Sequence, residues 1–233
     1  MSEARQGRRP RIAGVVVLVL AALVLLFVIA SLSLDEGDEE TVEITGADEV
    51  QRQVGGIPQD GAILGSSDAP VTAQVFSDLQ CVPCADYQRE TITPLIEGPV
   101  RDGDLKLEFH HFQMTPSGFA NASFGAVAAA EQDDEWQFIQ LFFINQDEAP
   151  RRGATDEFLN QIANAILNFN VEQWQRDRDD PEVTETLDAD DELAAEHRFP
   201  AEPAVVVEGP RGSRELTESP PVAQIEAAIA EVR

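Results

Sequence analysis

An uncharged run from Ile12 to Leu34 divides the chain before any other feature is weighed. At about 1.5 Å per residue a helix of this length covers roughly 34 Å, close to the ~30 Å hydrocarbon thickness of a bilayer. Arg5, Arg8, Arg9 and Arg11 precede the run, and Asp35, Glu36, Asp38, Glu39 and Glu40 come directly after it. The positive-inside rule then predicts a cytoplasmic tail over 1–11, a transmembrane signal-anchor over 12–34, and an extracytoplasmic remainder. Ala30, Ser31 and Ser33 could instead serve a signal peptidase. The run, however, exceeds the ~7–15 residues of a signal core and no A-x-A pattern closes it. Both readings deliver the remainder to the same compartment.

Across 233 residues, 43 Asp and Glu stand against 16 Lys and Arg, a formal charge of −27, while 43% of the chain is hydrophobic. Residues 1–34 hold four Arg and one Glu, so residues 35–233 carry 12 basic and 42 acidic side chains and a net charge of −30. Such a surface repels phosphates, which argues against nucleic acid and anionic head groups as partners. The apolar fraction still suffices for a core.

Residues 35–60 are polar and acidic, with Gly55-Gly56 and Pro58, and are expected to form a linker, the domain proper beginning near Gly61. Val71 to Phe76 has strand composition, and Leu105 to Phe112 alternates as a half-buried strand does. Between them the pattern from Cys84 onward is helical, with Pro94 predicting a kink or break. These pieces compose a β-α-β unit. A helical block occupies about 117–198, including 119–131, 135–145 and 155–167, with shorter turns at 171–176 and 190–197. Ala204 to Val207 reads as a strand, Ser213 to Leu216 as its hairpin partner, and Val222, Ile225, Ile229 and Val232 as one face of a closing helix. The order is that of an α/β fold with a helical insertion.

The chain has two cysteines, Cys81 and Cys84, too few for a multi-bridge scaffold or a four-cysteine zinc site. They stand at the junction of a strand and a helix, as Cys81-Val82-Pro83-Cys84. The N–H groups and dipole of a helix N-terminus stabilise a thiolate and lower its pKa below the free value of about 8.5. Cys81 is therefore the expected nucleophile and Cys84 the resolving thiol in disulfide exchange. His110 and His111 could complete a metal site only if both converged on the thiols, which successive strand residues do not do. His197 is placed at a helix end, where it serves the dipole. Asp78 can act either as a cap for the helix or as a proton acceptor.

With these residues the sequence resembles the DsbA-like thiol-disulfide oxidoreductases of the thioredoxin superfamily, in their membrane-anchored form. Leu64 to Val71 is similar to the family's approach to its first core strand, and Phe76 to Cys81 to its approach to the redox pair. Trp136-Gln137-Phe138 with Leu141 to Gln146 is similar to its helical insertion. Glu202-Pro203-Ala204-Val205-Val206-Val207 stands where the family has a cis-proline and the strand after it. The resemblance implies a thioredoxin-like fold over 61–233, a cis Pro203 facing the thiols, and catalysis by Cys81, Cys84 and Pro203 without a cofactor or metal. It also implies exchange with exported cysteine-containing proteins, and a membrane thiol oxidase or reductase as redox partner. Val82 and Pro83 replace the histidine-bearing dipeptide of strongly oxidising members. Val75 stands where many relatives carry an acid six positions before the first cysteine, a role open to Asp78 or Glu202. Glu202 itself occupies a usually neutral position, where a carboxylate near Cys81 would raise its pKa and weaken the disulfide as an oxidant. The expected activity is oxidation. The alternatives are a reductase or isomerase on the same fold, or a binding or chaperone module with a structural disulfide.

Overall fold

The computed structural model describes residues 43–112, 121–148 and 154–233. The expected tail and span at 1–11 and 12–34 lie outside the described residues. Among the described residues no helix is long and apolar enough to cross a membrane.

A six-stranded sheet carries the fold, in the order β1-β2-β4-β3-β5-β6. The central strand β3 (Val71–Ser77) pairs in parallel with β4 (Leu105–His111), in a register running from Val71 opposite Leu105 to Ser77 opposite His111. Parallel neighbours need a crossover, supplied here by a helical run, α2, over 82–100 that is kinked at Gly98. It alternates α-helical Val82–Tyr87 and Thr93–Leu95 with π-helical Gln88–Ile92 and Ile96–Val100. Of the kink or break expected at Pro94, the break does not occur. The wider π-helical turns flank the proline, which has no N–H to donate and crowds the preceding turn, and the chain stays helical past it. The irregular backbone falls instead at Gly98, before Pro99.

On the other side of β3 runs β5 (Ala204–Gly209), antiparallel, with Ala204 opposite Phe76 and Glu208 opposite Thr72. It continues into β6 (Gly212–Leu216) through a turn at Pro210-Arg211, after which Gly212 takes a positive φ of 125°. The short strands β1 (Gln59–Asp60) and β2 (Ile63–Leu64) cover the outer edge of β4. Alternation along β3 sends Val71, Ala73 and Val75 into the main core. Phe76 joins a second cluster with Phe112, Phe199, Ala204 and Val206. The closing helix α8 (Val222–Val232) seals the main core with Ile225, Ile229 and Val232.

The linker expected over 35–60 is corrected by the structure. Residues 35–42 are outside the described chain, but Ala47–Val54 forms helix α1, whose Val50 and Val54 are buried in the core. Its mean composition is polar, yet Val50 and Val54 fall on one face while Asp48 and Glu49 lie in the first turn, where the helix dipole favours them. Arg101 closes its far end by donating to the carbonyls of Arg52 (3.0 Å) and Gln53 (2.5 Å).

The insertion comprises α3 (Asn121–Ala130), α4 (Glu135–Ile144), α5 (Asp156–Ala165), α6 (Val171–Asp177) and α7 (Pro181–His197). Helix α7 begins earlier than the expected turn at 190. Helix α4 is buried on nearly every side, and Trp136 donates to the carbonyl of Ala62 at 2.8 Å. In α3, Gly125 makes room for two rings: a Cβ there would lie 2.8 Å from Phe138 and 3.2 Å from Trp174, whose indole N–H donates to the Gly125 carbonyl at 2.7 Å.

Two buried histidines tie β4 to the insertion from opposite faces. His110 Nδ1 lies 2.6 Å from Asp190 of α7, whose other oxygen accepts the His111 backbone N–H at 2.8 Å. The ring of His111 turns the other way and its Nε2 shares a hydrogen bond with Glu135 at 3.0 Å. Burial pushes the Glu135 carboxyl above its ordinary 4.5; Asp190 adds to the rise, and the hydrogen bond and charge of His111, with His110, oppose it.

This packing can be tested at two residues. Gly125→Ala gains about 1 kcal/mol of helix propensity but overpacks the rings at a cost of about 1–3 kcal/mol. Denaturant unfolding should therefore show a net loss; a more stable variant would contradict the close approach. The raised Glu135 pKa means that its stabilising effect is full below about pH 4.5 and declines as pH rises through the higher folded value. The melting difference between Glu135→Gln and the wild type should thus move in the variant's favour between about pH 4 and pH 8. A difference that is flat, or that moves the other way, would contradict a Glu135 carboxyl whose pKa is raised by burial.

Candidate active site

The carboxyl end of β3 leads through Asp78-Leu79-Gln80 directly into α2, and Cys81 is the N-cap of that helix, with φ −76° and ψ 113°. Its carbonyl accepts the N–H groups of Cys84 (3.1 Å) and Ala85 (3.4 Å), and its sulfur accepts the Cys84 N–H at 3.2 Å. Cys81 and Cys84 are joined as a disulfide with their Cα atoms 5.1 Å apart, inside the range that an unforced bridge spans. Val82 and Pro83 form the first turn. Proline fits there because its missing N–H would have no partner within the helix. No acidic side chain occupies that turn, so in this strongly acidic chain the positive end of the helix dipole is left unopposed along the helix itself.

The two sulfurs are unequal. Cys84 is 1% exposed and packed in the main core, whereas Cys81 is partly exposed and precedes Val82, which is 61% exposed.

Asp78 does not cap the helix, since Cys81 does. Its carboxylate instead accepts the Gln80 N–H at 2.8 Å, closing a side-chain turn within the loop, and its carbonyl accepts the Cys81 N–H at 3.1 Å. Burial raises the Asp78 pKa, with the Gln80 hydrogen bond and the charge of His111 pulling it back. Val75 is fully buried in β3.

The Glu202–Pro203 peptide bond is cis. Pro203 is buried immediately before β5, and because Ala204 lies opposite Phe76, it stands at the same end of the sheet as the loop to Cys81. Its carbonyl accepts the Ser219 N–H at 3.3 Å. The three histidines hold other partners: His110 pairs with Asp190, His111 with Glu135, and His197 lies 2.9 Å from Glu215 of β6 while stacking on Phe199. Among the described residues no group of three or more His, Cys, Asp or Glu side chains could hold a metal ion.

Gln146, to which the sequence pattern assigns no role, touches the site. It lies just beyond α4 and its side-chain nitrogen donates to the carbonyls of Leu79 (2.6 Å) and Cys81 (3.1 Å). The adjacent Asn145 grips Thr45: its oxygen accepts the Thr45 N–H at 2.9 Å and its nitrogen donates to the Thr45 carbonyl at 3.0 Å. The only sequence trace of either contact is a pair of amides ending an apolar run.

The sequence profile of the Thioredoxin family matches residues 58–230. The chain is 27% identical over 149 residues to the probable disulfide bond formation protein D of Bacillus anthracis, covering 63% of this chain and 69% of that protein. It is 22% identical over 147 residues to disulfide bond formation protein D of Bacillus subtilis strain 168, covering 62% and 66%. The crystal structure of oxidised BdbD from Bacillus subtilis superposes with a TM-score of 0.64 at 19% identity, over 75% of this chain and 96% of that one. With a helix-capping cysteine pair on this fold, the chain belongs to the thioredoxin family and is a DsbA-like thiol-disulfide oxidoreductase.

Proposed function

We propose that the protein is a membrane-tethered, extracytoplasmic oxidant that passes its Cys81–Cys84 disulfide to exported proteins. The observation that carries this reading is the accessible Cys81 at the helix N-cap beside a buried Cys84. A substrate thiolate attacks the Cys81 sulfur, the Cys81–Cys84 bond breaks, and Cys84 departs as a thiolate that takes up a proton. A second substrate thiolate then attacks its own half of the mixed disulfide and releases the Cys81 thiolate. The substrate loses two electrons, which the reduced pair holds until a membrane thiol oxidase removes them. The arginines before Ile12 and the acids after Leu34 support the tether and its orientation. Pro203 and the backbone before it provide the surface on which the substrate chain rests.

A reductase or isomerase would use the same residues in reverse. That reading is favoured by Glu202 beside the cis-proline and by a Val82-Pro83 dipeptide with no histidine to stabilise the thiolate. A reduction potential near about −120 mV marks an oxidant and one near about −270 mV a reductase.

Cys81→Ser should abolish turnover in oxidative refolding, while Cys84→Ser should accumulate a mixed disulfide with substrate. Full activity in Cys81→Ser would sink the mechanism. Glu202→Gln removes a negative charge that opposes the thiolate, so its exchange constant with glutathione should move toward the reduced protein by about 3–10-fold, a rise of roughly 15–30 mV. An unchanged or lower potential would remove Glu202 from the site's electrostatics.

A further inference from the structure

We propose that Gln146 is a positioning residue for Cys81, through which the end of the helical insertion sets the backbone of the redox loop and the ease with which Cys81 ionises. Gln146 is buried and a single side-chain nitrogen reaches two carbonyls, 2.6 Å to Leu79 and 3.1 Å to Cys81. Both partners can only accept, so the atom facing them must be the nitrogen of the amide. The Cys81 carbonyl is also the first acceptor of α2, taking the N–H groups of Cys84 and Ala85. Gln146 therefore bonds to the very group that begins the helix.

These contacts act on Cys81 in two ways. The two bonds fix the turn from Leu79 to Cys81, and so hold the sulfur where it accepts the Cys84 N–H at 3.2 Å. They also direct N–H dipoles at carbonyl oxygens whose partial negative charge, close to the sulfur, would otherwise oppose a thiolate. Removing the donor should make Cys81 harder to ionise and the reduced protein less favourable relative to the disulfide. Asn145 provides an internal comparison: it is adjacent in sequence and likewise buried, but its hydrogen bonds run to Thr45 and Leu141 and not to the redox loop.

The inference rests on Cys81 being the sulfur that exchanges with substrate, as proposed above, and the test separates the two. Full-length wild type, Gln146→Met, which keeps most of the volume without a donor, and Asn145→Ala are compared by glutathione equilibrium, by thiolate absorbance against pH, and by thermal melting. Gln146→Met should move the equilibrium toward the protein disulfide by about 3–10-fold and raise the Cys81 pKa, while Asn145→Ala should lower the melting temperature and leave the equilibrium within about twofold. A folded Gln146→Met within twofold of wild type, or the same shift in both variants, overturns the proposal. Should Gln146→Met fail to fold, NMR of the wild-type Gln146 side-chain amide decides: its protons should shift with pH in step with the Cys81 thiolate, and an amide insensitive to that ionisation overturns it. A wild-type Cys81 that neither exchanges with glutathione nor ionises below about 8.5 would instead remove the redox reading itself.

Discussion

The parallel pairing of β3 with β4 is the constraint on which the rest depends. Parallel neighbours cannot be joined by a tight turn, so the chain must leave the end of β3, cross the sheet as a helix and return. That topology puts a helix N-terminus at the carboxyl end of the central strand, and Cys81 occupies its cap. Antiparallel β5 then brings the cis Pro203 to the same end, because Ala204 is registered on Phe76. The backbone pairing of the sheet brings strand, thiol and proline to one end.

The helical insertion shares the apolar core with the sheet and is also held to it by buried polar contacts. Glu135 with His111 and Asp190 with His110 join α4 and α7 to β4 from opposite faces. Asn145 closes on the backbone before α1, and Gln146 on the loop before α2. Polar contacts of this kind are costly to leave half-made, so they fix one arrangement of the insertion where apolar packing alone would tolerate several. Cys84 is enclosed in the core, and the site is open on the side of Cys81 and Val82.

Much of this was legible in the sequence because its signals are local. The strand composition of Val71 to Phe76 and the alternation of Leu105 to Phe112 marked both core strands, and the cysteine spacing at a strand end marked the pair that caps the helix. The cis form of Pro203 was legible only through resemblance, since nothing in the dipeptide demands it. Helix α1 was hidden because its two core valines sit in an acidic stretch whose average resembles a linker. The first half of α7 was hidden in the same way: Val183 and Leu187 are buried one helical turn apart among acids. Gln146 could not be found by any periodicity, because its partners lie 65 and 67 residues away and are backbone atoms whose identity the side chains do not encode. The persistence of α2 through Pro94 depended on π-helical turns that composition does not reveal.

On the function proposed here, a helix N-terminus with no acidic residue in its first turn favours the Cys81 thiolate of the reduced protein within a chain of charge −27. The most direct measurement is the thiolate absorbance of the reduced protein as a function of pH, with the Cys84→Ser variant assigning the signal to Cys81. A Cys81 ionising well below the free value of about 8.5 is the predicted result. A Cys81 that ionises at or above that value would contradict it.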